Sequence, residues 1–260
     1  SAMRAFILCD YEGATGVVSW EEEAALGPEA MAGDVNAVIA GLREGGFDRF
    51  VVRDYHSAGR TVRLADLDPA ATLIRGKSTP FPYGLSPSFD ATVFAAAHAM
   101  AGTAAGVMSH TMDGDVAELR INDRRIGEIG GFALLAGSID VPIILVTGDD
   151  AACQEAKEVI GDVEVASVKL GLTRQCAQCL HPTVAREIIR QKAHAAAARV
   201  GEFRPLKWNP PYVLEVTFKG PEQADRSHGT IGGTRVNDLT IRIEGETIAE
   251  VLRVFEHGFQ

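Results

Sequence analysis

Short apolar runs alternate with segments of helical periodicity through the first 170 residues of the chain. Five of these runs predict buried strands: Ala5–Cys9, Phe50–Arg53, Ala91–Ala97, Val141–Thr147 and Val163–Lys169. Apolar residues at helical spacing predict helices between them, over Pro28–Glu44 and Ala151–Ile160. Strands that alternate with helices are typical of a mostly parallel sheet covered by helices on both faces. The sequence therefore predicts an α/β fold.

One segment interrupts this alternation. Residues Ala117–Ile126 predict a β-hairpin, with Asn122 and Asp123 at its turn. Glu128 follows the hairpin and begins a predicted helix that ends near Gly137. This part of the chain is therefore expected to add an antiparallel element to the α/β fold.

The pattern changes after residue 181. A long helix is predicted over Pro182–Val200, with the proline suited to its first turn. Prolines then mark a connection, and two alternating strands, Tyr212–Phe218 and Leu239–Glu244, precede a closing amphipathic helix over Thr247–Glu256. We therefore expect an α/β domain over residues 1–181 and a smaller α+β lobe over residues 182–260.

Charge and composition exclude several classes of protein. The formal net charge of −10 repels nucleic-acid phosphates, and no run of Lys and Arg offsets it. The longest apolar stretches are far shorter than the roughly 20 residues of a membrane span. The sequence shows no charged-then-apolar leader, so secretion is not indicated. We expect a protein that binds neither nucleic acid nor membranes.

The four cysteines are too few for a disulfide framework and fit a reducing cytosol, so we expect a cytoplasmic protein. Two of them form the motif Cys176-x-x-Cys179. A structural zinc site normally takes a second such pair, which this sequence lacks. We therefore interpret Cys176 and Cys179 as ordinary thiols on a helix.

Acidic and histidine residues follow four of the predicted strands. They are Asp10 and Glu12, Asp54 and His56, His98, and Asp149 and Asp150. Ligands of open α/β sheets bind beyond the carboxyl ends of the strands, so these side chains are expected at one rim. Carboxylates and imidazoles without cysteine suit zinc, manganese or iron. The sequence therefore predicts a metal site at this rim.

The Asp10-x-Glu12 pair has a geometric reason to bind metal. In an extended segment, side chains two residues apart point to the same side. Both carboxylates can then reach one metal centre, or Asp10 can bridge two metals, which lie about 3.5–4 Å apart in dinuclear sites. A turn that caps the next helix is the alternative interpretation of this spacing.

The segment Gly106–Thr111 carries Ser109 and His110 in a predicted loop after His98. Adjacent Ser and His do not form a catalytic pair, because such partners meet through the fold. The sequence has no G-x-S-x-G elbow and no glycine motif for phosphates, which argues against serine hydrolases and nucleotide-binding proteins. Taken in isolation, His110 is interpreted as a loop histidine.

Together these motifs resemble those of a known family. The matching segments keep their order and approximate spacing over the first 180 residues: Asp10–Gly16, Asp54–Ser57, His98, Gly106–Thr111, Ile121–Gly130 and Gly148–Asp150. They are similar to the zinc-dependent D-aminopeptidases linked to bacterial dipeptide-transport operons. The last 80 residues match that family more loosely.

The resemblance implies two zinc ions in one shared site within residues 1–181, the part expected to be the metal-binding catalytic domain. It implies that Asp10 bridges the two metals. The other metal ligands that it implies are Glu12, His56, His98 and Glu128. It assigns the role of catalytic histidine to His110.

The activity that the resemblance implies is that of a zinc metallopeptidase: an aminopeptidase that hydrolyses short peptides with D-amino-acid residues through a zinc-activated hydroxide. It also implies closed rings of identical subunits, with a decamer as one candidate size. Two alternatives remain at this point. One is a dinuclear-metal amidase or esterase acting on another small molecule, and the other is a non-catalytic metal-binding protein, against which the presence of His110 argues.

Three further residues are open to two interpretations each. Asp54 either orients His56 from behind the metal or is a turn residue at the strand end. Lys169 ends a predicted strand and Arg174 follows a turn. We interpret both as solvated surface charges rather than as groups that clamp the substrate.

Overall fold

The computed structural model describes residues 2–77 and 84–253 and contains two β-sheets. The strands are β1 (Met3–Cys9), β2 (Phe47–Asp54), β3 (Ala71–Ile74), β4 (Ala91–Ala97), β5 (Val116–Ile121), β6 (Arg124–Arg125), β7 (Ile143–Asp149), β8 (Glu164–Thr173), β9 (Cys176–Cys179), β10 (Tyr212–Phe218), β11 (Thr234–Arg235) and β12 (Thr240–Gly245). The helices are α1 (Glu23–Glu44), α2 (Glu128–Ser138), α3 (Asp150–Ile160), α4 (Pro182–Ala198), α5 (Pro221–Ile231) and α6 (Ile248–Leu252). Single 3-10 turns cover Trp20–Glu22, Leu64–Asp66 and Val200–Glu202.

The larger sheet has seven strands in the order β3-β2-β1-β4-β7-β8-β9. All neighbours pair in parallel except β8 and β9. In β1, Ala5, Ile7 and Cys9 face one apolar cluster, while Phe6 and Leu8 face another, so the strand is buried on both faces. Helices α1 and α4 cover the first face, and α2 and α3 cover the second. The predicted α/β fold is confirmed.

The smaller sheet is antiparallel, with the order β11-β12-β10-β5-β6. Its strands β5 and β6 form the predicted hairpin, and Asn122 and Asp123 at the turn both have positive φ angles (50° and 64°). Two such residues are what a tight hairpin turn needs. One face of the sheet packs with α6 into a separate apolar cluster.

The two sheets do not divide the chain at residue 182. Helix α4 packs along α1, and its residues Ala193 and Ala197 lie directly over Gly41 and Gly45. These glycines have no side chains, so the two backbones can approach closely. The C-terminal helix α4 therefore belongs to the layer over the larger sheet, whereas the earlier hairpin of β5 and β6 belongs to the smaller sheet.

Helix α1 begins at Glu23, five residues before the predicted start at Pro28. A 3-10 turn, capped by the Ser19 side chain on the N–H of Glu21, leads directly into this helix. Pro28 lies inside this helix, in its second turn, where it cannot donate a backbone hydrogen bond. The helix nevertheless continues through it, so Pro28 does not mark its start.

The interpretation of Cys176 and Cys179 as thiols on a helix is wrong. Both lie on strand β9, which turns back on β8 and pairs with it antiparallel. Strand β8 itself runs to Thr173 rather than ending at Lys169. Both thiols are exposed and free, and the edge strand that carries them closes one side of the larger sheet.

The closing helix is observed over Ile248–Leu252, and its Thr247 and Glu250 form a reciprocal cap. Residues 254–256 of the predicted helix lie outside the described residues. Among the described helices, none has both the length and the apolar character that crossing a bilayer would require.

Candidate metal centre

Six residues that the sequence singles out come together beyond the carboxyl ends of β1, β2 and β4. Two follow β1, one follows β2, one follows β4, one lies in the loop ahead of β5, and one begins α2: Asp10, Glu12, His56, His98, His110 and Glu128. Loops at one edge of a parallel sheet bring these side chains to one point although up to 118 positions separate them. We call this set the metal centre.

Asp10 lies between two of the histidines. Its Oδ1 is 3.2 Å from His56 Nδ1, and its Oδ2 is 3.4 Å from His98 Nε2. A second carboxylate approaches each of these nitrogens: Glu12 Oε2 lies 3.3 Å from His56 Nδ1, and Glu128 Oε2 lies 3.3 Å from His98 Nε2. The potential ligands accordingly fall into two groups, one of Asp10, Glu12 and His56 and one of His98, His110 and Glu128.

In each histidine, one ring nitrogen faces the carboxylates of the metal centre, and the other contacts a group that lies outside the centre. His98 Nδ1 donates to the carbonyl oxygen of Ala99 (3.0 Å), and His110 Nδ1 donates to that of Met108 (2.8 Å). A carbonyl can only accept, so Nδ1 carries a proton, and Nε2 is the nitrogen that can bind a metal when the ring is neutral. His56 Nε2 instead faces Glu23 Oε2 at 3.3 Å. This is the arrangement in which proteins present imidazole to a metal.

The contacts of His98 Nε2 test whether a cation fits. Within the described part of the chain, this buried nitrogen makes no hydrogen bond, although two carboxylate oxygens lie within 3.4 Å. Two carboxylates around one nitrogen require positive charge between them, which a proton on Nε2 supplies without a metal and a metal ion supplies when it takes the place of that proton. Nitrogen and oxygen atoms bound to one zinc ion at about 2.0–2.1 Å in a tetrahedron lie about 3.3 Å apart. The observed separations and the donor types fit zinc.

Burial and mutual proximity set the charges of the centre. Burial raises the pKa of Asp10, and the neighbouring Glu12 carboxylate raises it further. Burial also raises the pKa of Glu12, but contacts with the imidazoles outweigh it and leave that pKa well below its ordinary value. Burial lowers the pKa of His56, whereas Asp10 and Glu12 raise it, to about 11. Nearby positive charge therefore stabilises the buried carboxylates, and a bound metal ion would supply it.

His110 differs from the other five residues because it is only partly buried. Its ring stacks on His98 with 4.0 Å between centroids, and its Nε2 lies 3.9 Å from Glu12 Oε1. It thus lies at the more exposed side of the centre, with its Nε2 directed toward Glu12.

The interpretation of Lys169 as a solvated surface charge is wrong. The residue is 2% exposed, and its ammonium group donates to three backbone carbonyls of the segment that follows β1. A shift in the pairing register of β7 and β8 lies next to Lys169 and buries it together with the preceding Val168. The sequence pattern did not show this bulge.

Asp54 acts as a turn residue, the second of its two interpretations. Its Oδ2 accepts the N–H of Val62 at 2.7 Å, and the carboxylate that faces His56 from outside is Glu23 instead. Glu23 is held in turn by the hydroxyl of Thr61, 2.9 Å from its Oε1. Sequence reasoning missed Glu23, although acidic residues at the start of a helix are an N-terminal signal that places them near this rim.

The acidic pair after β7 supports loops and does not enter the metal centre. Asp149 Oδ2 accepts the N–H of Val107, and its Oδ1 caps α3 at Ala152. Asp150 accepts the N–H of Gly171. The bond to Val107 holds the segment that leads to His110, and the other two bonds hold the start of α3 and strand β8, which gives both carboxylates a structural role.

Trp20 and Arg174 complete the wall around His110. Trp20 Nε1 donates to Glu12 Oε1 at 2.6 Å, and its ring packs edge-on against that of His110. Arg174 is exposed, as predicted, but its Nε donates to the carbonyl of Ser109 and its guanidinium lies over the Trp20 ring. Sequence reasoning missed Trp20, because nothing in the spacing shows that the segment after β1 folds back.

The fold and the site define a class: an α/β metalloenzyme with its centre at the carboxyl edge of a parallel sheet. The model of the peptidase M55 family, D-aminopeptidase, matches residues 3–257. The chain belongs to this family of D-aminopeptidases, which confirms the resemblance seen in the motifs and the expected aminopeptidase activity.

Two similar proteins come from one organism. The chain is 33% identical over 250 residues to the D-aminopeptidase of Bacillus subtilis (strain 168), which covers 93% of this chain and 90% of that protein. A solved structure, the Zn-dependent D-aminopeptidase DppA from Bacillus subtilis, a self-compartmentalizing protease, superposes with a TM-score of 0.92 at 30% identity. That match covers 99% of this chain and 98% of the other.

Proposed function

We propose that the metal centre holds two zinc ions and removes the N-terminal residue from short peptides that contain D-amino acids. The observation that carries the proposal is the position of Asp10, whose two oxygens face His56 and His98 on opposite sides. One carboxylate shared between two groups of ligands is the arrangement of dinuclear hydrolytic sites. The similarity to a Zn-dependent enzyme supports zinc as the metal.

The residues of this chain have separate roles in the proposed centre. Asp10, Glu12 and His56 would hold one ion, and His98 and Glu128, with Asp10 shared, would hold the other. When bound, the zinc ions supply Lewis acidity and a water molecule that is nucleophilic at neutral pH. Glu128 is fixed for this role by the N–H of Met112, 2.6 Å from its Oε1.

His110 is the proposed catalytic residue. Its Nδ1 proton is held by the carbonyl of Met108, so Nε2 is the atom that takes up or returns a proton during peptide cleavage. Trp20 limits the motion of this ring from one side and His98 from the other. The ring is thereby kept at the open side of the centre, where a substrate enters.

The proposal is tested by elemental analysis together with a substrate panel. Protein reconstituted with zinc should contain about two ions per chain. The panel contains D- and L-aminoacyl amides, D- and L-dipeptides, and unrelated amides and esters. Cleavage of N-terminal D-residues in preference to the others supports the proposal. Preference for unrelated amides or esters would favour the dinuclear amidase or esterase, and metal binding without turnover would favour a non-catalytic protein.

We propose that the chain assembles into a closed ring of identical subunits, with a decamer as the candidate size. The self-compartmentalizing character of the similar Bacillus subtilis enzyme supports this assembly. Further support comes from Leu170 and Leu172 on β8, the strand next to the edge strand β9, which are 47% and 57% exposed. Light scattering at micromolar concentration tests it, and a monomer that still cleaves peptides would contradict it.

We also propose that the enzyme works in the cytoplasm. Support comes from its four cysteines, all of them free thiols, of which Cys176 and Cys179 are exposed. Exposed thiols persist in a reducing compartment. Fractionation of the source cells, followed by detection of the protein in the cytoplasmic fraction, is the test.

A further inference from the structure

We propose that Lys169 is a positioning residue of the metal centre: it fixes the backbone of residues 12–17 and thereby the place of the Glu12 carboxylate. The inference rests on the proposed function, since it concerns how the proposed zinc ligands are held. The inference gives a role to the buried Lys169 ammonium group, which takes no part in the proposed cleavage of the peptide bond.

Three carbonyl oxygens converge on the ammonium group of Lys169. Nζ lies 2.7 Å from the oxygen of Glu12, 2.8 Å from that of Ala14 and 2.6 Å from that of Val17. An ammonium group has three N–H donors, and all three are used here. The side chain is 2% exposed, so water does not share these bonds. Residues 12–17 are therefore wrapped around one cation.

One of the three carbonyls belongs to a proposed metal ligand. The backbone of Glu12 is fixed by Lys169, and its side chain is fixed by the indole of Trp20. Without a donor at Nζ, the carbonyls of Glu12 and Val17 would lose this partner, and the carbonyl of Ala14 would keep only the N–H of Val17 at 3.4 Å. The segment would move to find new partners, and Glu12 would move with it.

The rest of the segment is held by bonds that Lys169 does not make. The N–H groups of Asp10 and Gly13 donate to the carbonyls of Ala95 and Ala96 at the end of β4. Asp34 of α1 accepts from both the N–H and the hydroxyl of Thr15. The segment is thus attached to β4, α1 and β8, and the attachments to β4 and β8 hold the two sides of the peptide group between Glu12 and Gly13.

This arrangement predicts which zinc ion depends on Lys169. Glu12 belongs to the group with Asp10 and His56, whereas His98 and Glu128 are carried by other segments. Loss of Lys169 should therefore weaken the ion held by Glu12 and His56 and leave the other nearly unchanged. A residue needed only for folding would lower stability without separating the two ions.

The test compares full-length Lys169→Met, which keeps the length of the side chain but has no donors, with the parent protein. The control is Lys192→Met, an exposed lysine of α4 with a single ion pair to Glu164. Zinc is titrated against a competing chelator, the cobalt-loaded forms are compared by visible absorption, and Tm is measured.

Lys169→Met should bind one of its two zinc ions about 10–100-fold more weakly, the usual cost of losing a group that orients a ligand. Its cobalt spectrum should change, and Lys192→Met should match the parent.

Lys169→Arg keeps the charge and the donors and should retain more of the affinity than Lys169→Met. If Lys169→Met does not fold, Lys169→Gln takes its place under the same criteria, because its side chain is shorter and uncharged and has too few donors for the three carbonyls. If the folded variant binds each of the two ions as tightly as the parent does, the role of Lys169 is overturned, whatever the change in Tm.

Failure of the proposed function gives a different result. No zinc in the parent overturns the function and the role of Lys169 together. One zinc ion in the parent overturns the count of two, and Lys169 is then judged on whether its loss weakens that ion at least tenfold.

Discussion

The six side chains of the metal centre are held by different partners, and this determines what each can do. Glu12 accepts from Trp20, Glu128 accepts from Met112, and His98 donates to Ala99. These residues are buried and fixed from outside the centre. His110 is also held through Nδ1, but it is partly exposed and lies farthest from a carboxylate. A residue that exchanges protons with a substrate needs such a position.

The role of His110 predicts that catalysis and metal binding can be separated. His110→Ala should keep the zinc content of the parent and lower kcat by about 10²–10³, as when one acid–base or oxyanion group is lost. His98→Ala should lose zinc and activity together. Zinc stoichiometry and kcat are measured side by side on both variants. Loss of an ion from His110→Ala would place that histidine among the ligands, and full activity would make it an ordinary loop histidine.

The contact between Glu23 and His56 predicts an effect on zinc affinity from outside the centre. Glu23→Ala removes the acceptor that faces His56 Nε2, so the ring loses its orientation and zinc should bind about tenfold more weakly. Glu21→Ala, in the same acidic segment but exposed, is the matched control. Competition with a chelator measures both. Equal affinities in the two variants would show that Glu23 does not orient His56.

The sequence predicted some of these residues better than others. Asp10, Glu12, His56 and His98 follow strands directly, so strand ends and residue chemistry were enough to place them at one rim. Glu128 and the role of His110 came only through the resemblance to a family. Lys169 could not be predicted, because a shift in strand register decides whether a lysine faces solvent or the core.

At the scale of elements, the backbone of the segment after β1 packs directly against the backbone at the end of β4. A Cβ atom on Gly13 would lie 2.0 Å from the carbonyl oxygen of Ala97 and 2.4 Å from the carbonyl carbon of Ala96. Both are backbone atoms, so no side chain can rotate away. Glycine is required here because two main chains meet, and the proposed ligands lie immediately before it.

Gly13→Ala should therefore lower the free energy of unfolding by about 3 kcal/mol, near the upper end for overpacking, and should weaken zinc binding. Gly229→Ala is the control, since its Cβ would meet open space within α5 and alanine favours a helix by up to about 1 kcal/mol. Urea denaturation of both variants measures the difference. Unchanged stability of Gly13→Ala would contradict the close contact.

Elements were predicted well where apolar periodicity determines them and poorly where one local signal was used. Strand Ala91–Ala97 and strand Tyr212–Phe218 were predicted with the observed bounds. The start of α1 was predicted at Pro28 from apolar spacing, five residues after its observed start at Glu23. Strand β9 was missed because two cysteines separated by two residues fit a helix as readily as a short edge strand.

At the scale of the whole molecule, the apolar clusters lie on the two faces of the larger sheet and on one face of the smaller sheet, whereas the metal centre lies beyond the carboxyl ends of the strands of the larger sheet. The fold therefore has cores that do not depend on an ion. Zinc should add stability to a structure that already exists, unlike small zinc domains that unfold without metal.

Removal of zinc should lower Tm and leave the secondary structure in place. A ligand present at 100 times its Kd stabilises the folded state by about 2.7 kcal/mol, and chelation removes this contribution. Far-UV circular dichroism should be unchanged after treatment with a chelator, and zinc added back should restore Tm. A Tm that does not respond to zinc would argue that the centre binds no ion.

The position of the β5–β6 hairpin limits where the gene can recombine and where the protein can be split into fragments. It precedes Glu128 by only a few residues, yet its strand partner β10 lies about 90 positions further along the chain. A gene fragment that ended at residue 181 would encode β5 without β10, and α1 without α4. Residues 182–260 are therefore not a module that recombination could exchange between relatives. Engineered split versions of this enzyme should keep residues 116–125 and 212–252 on one fragment.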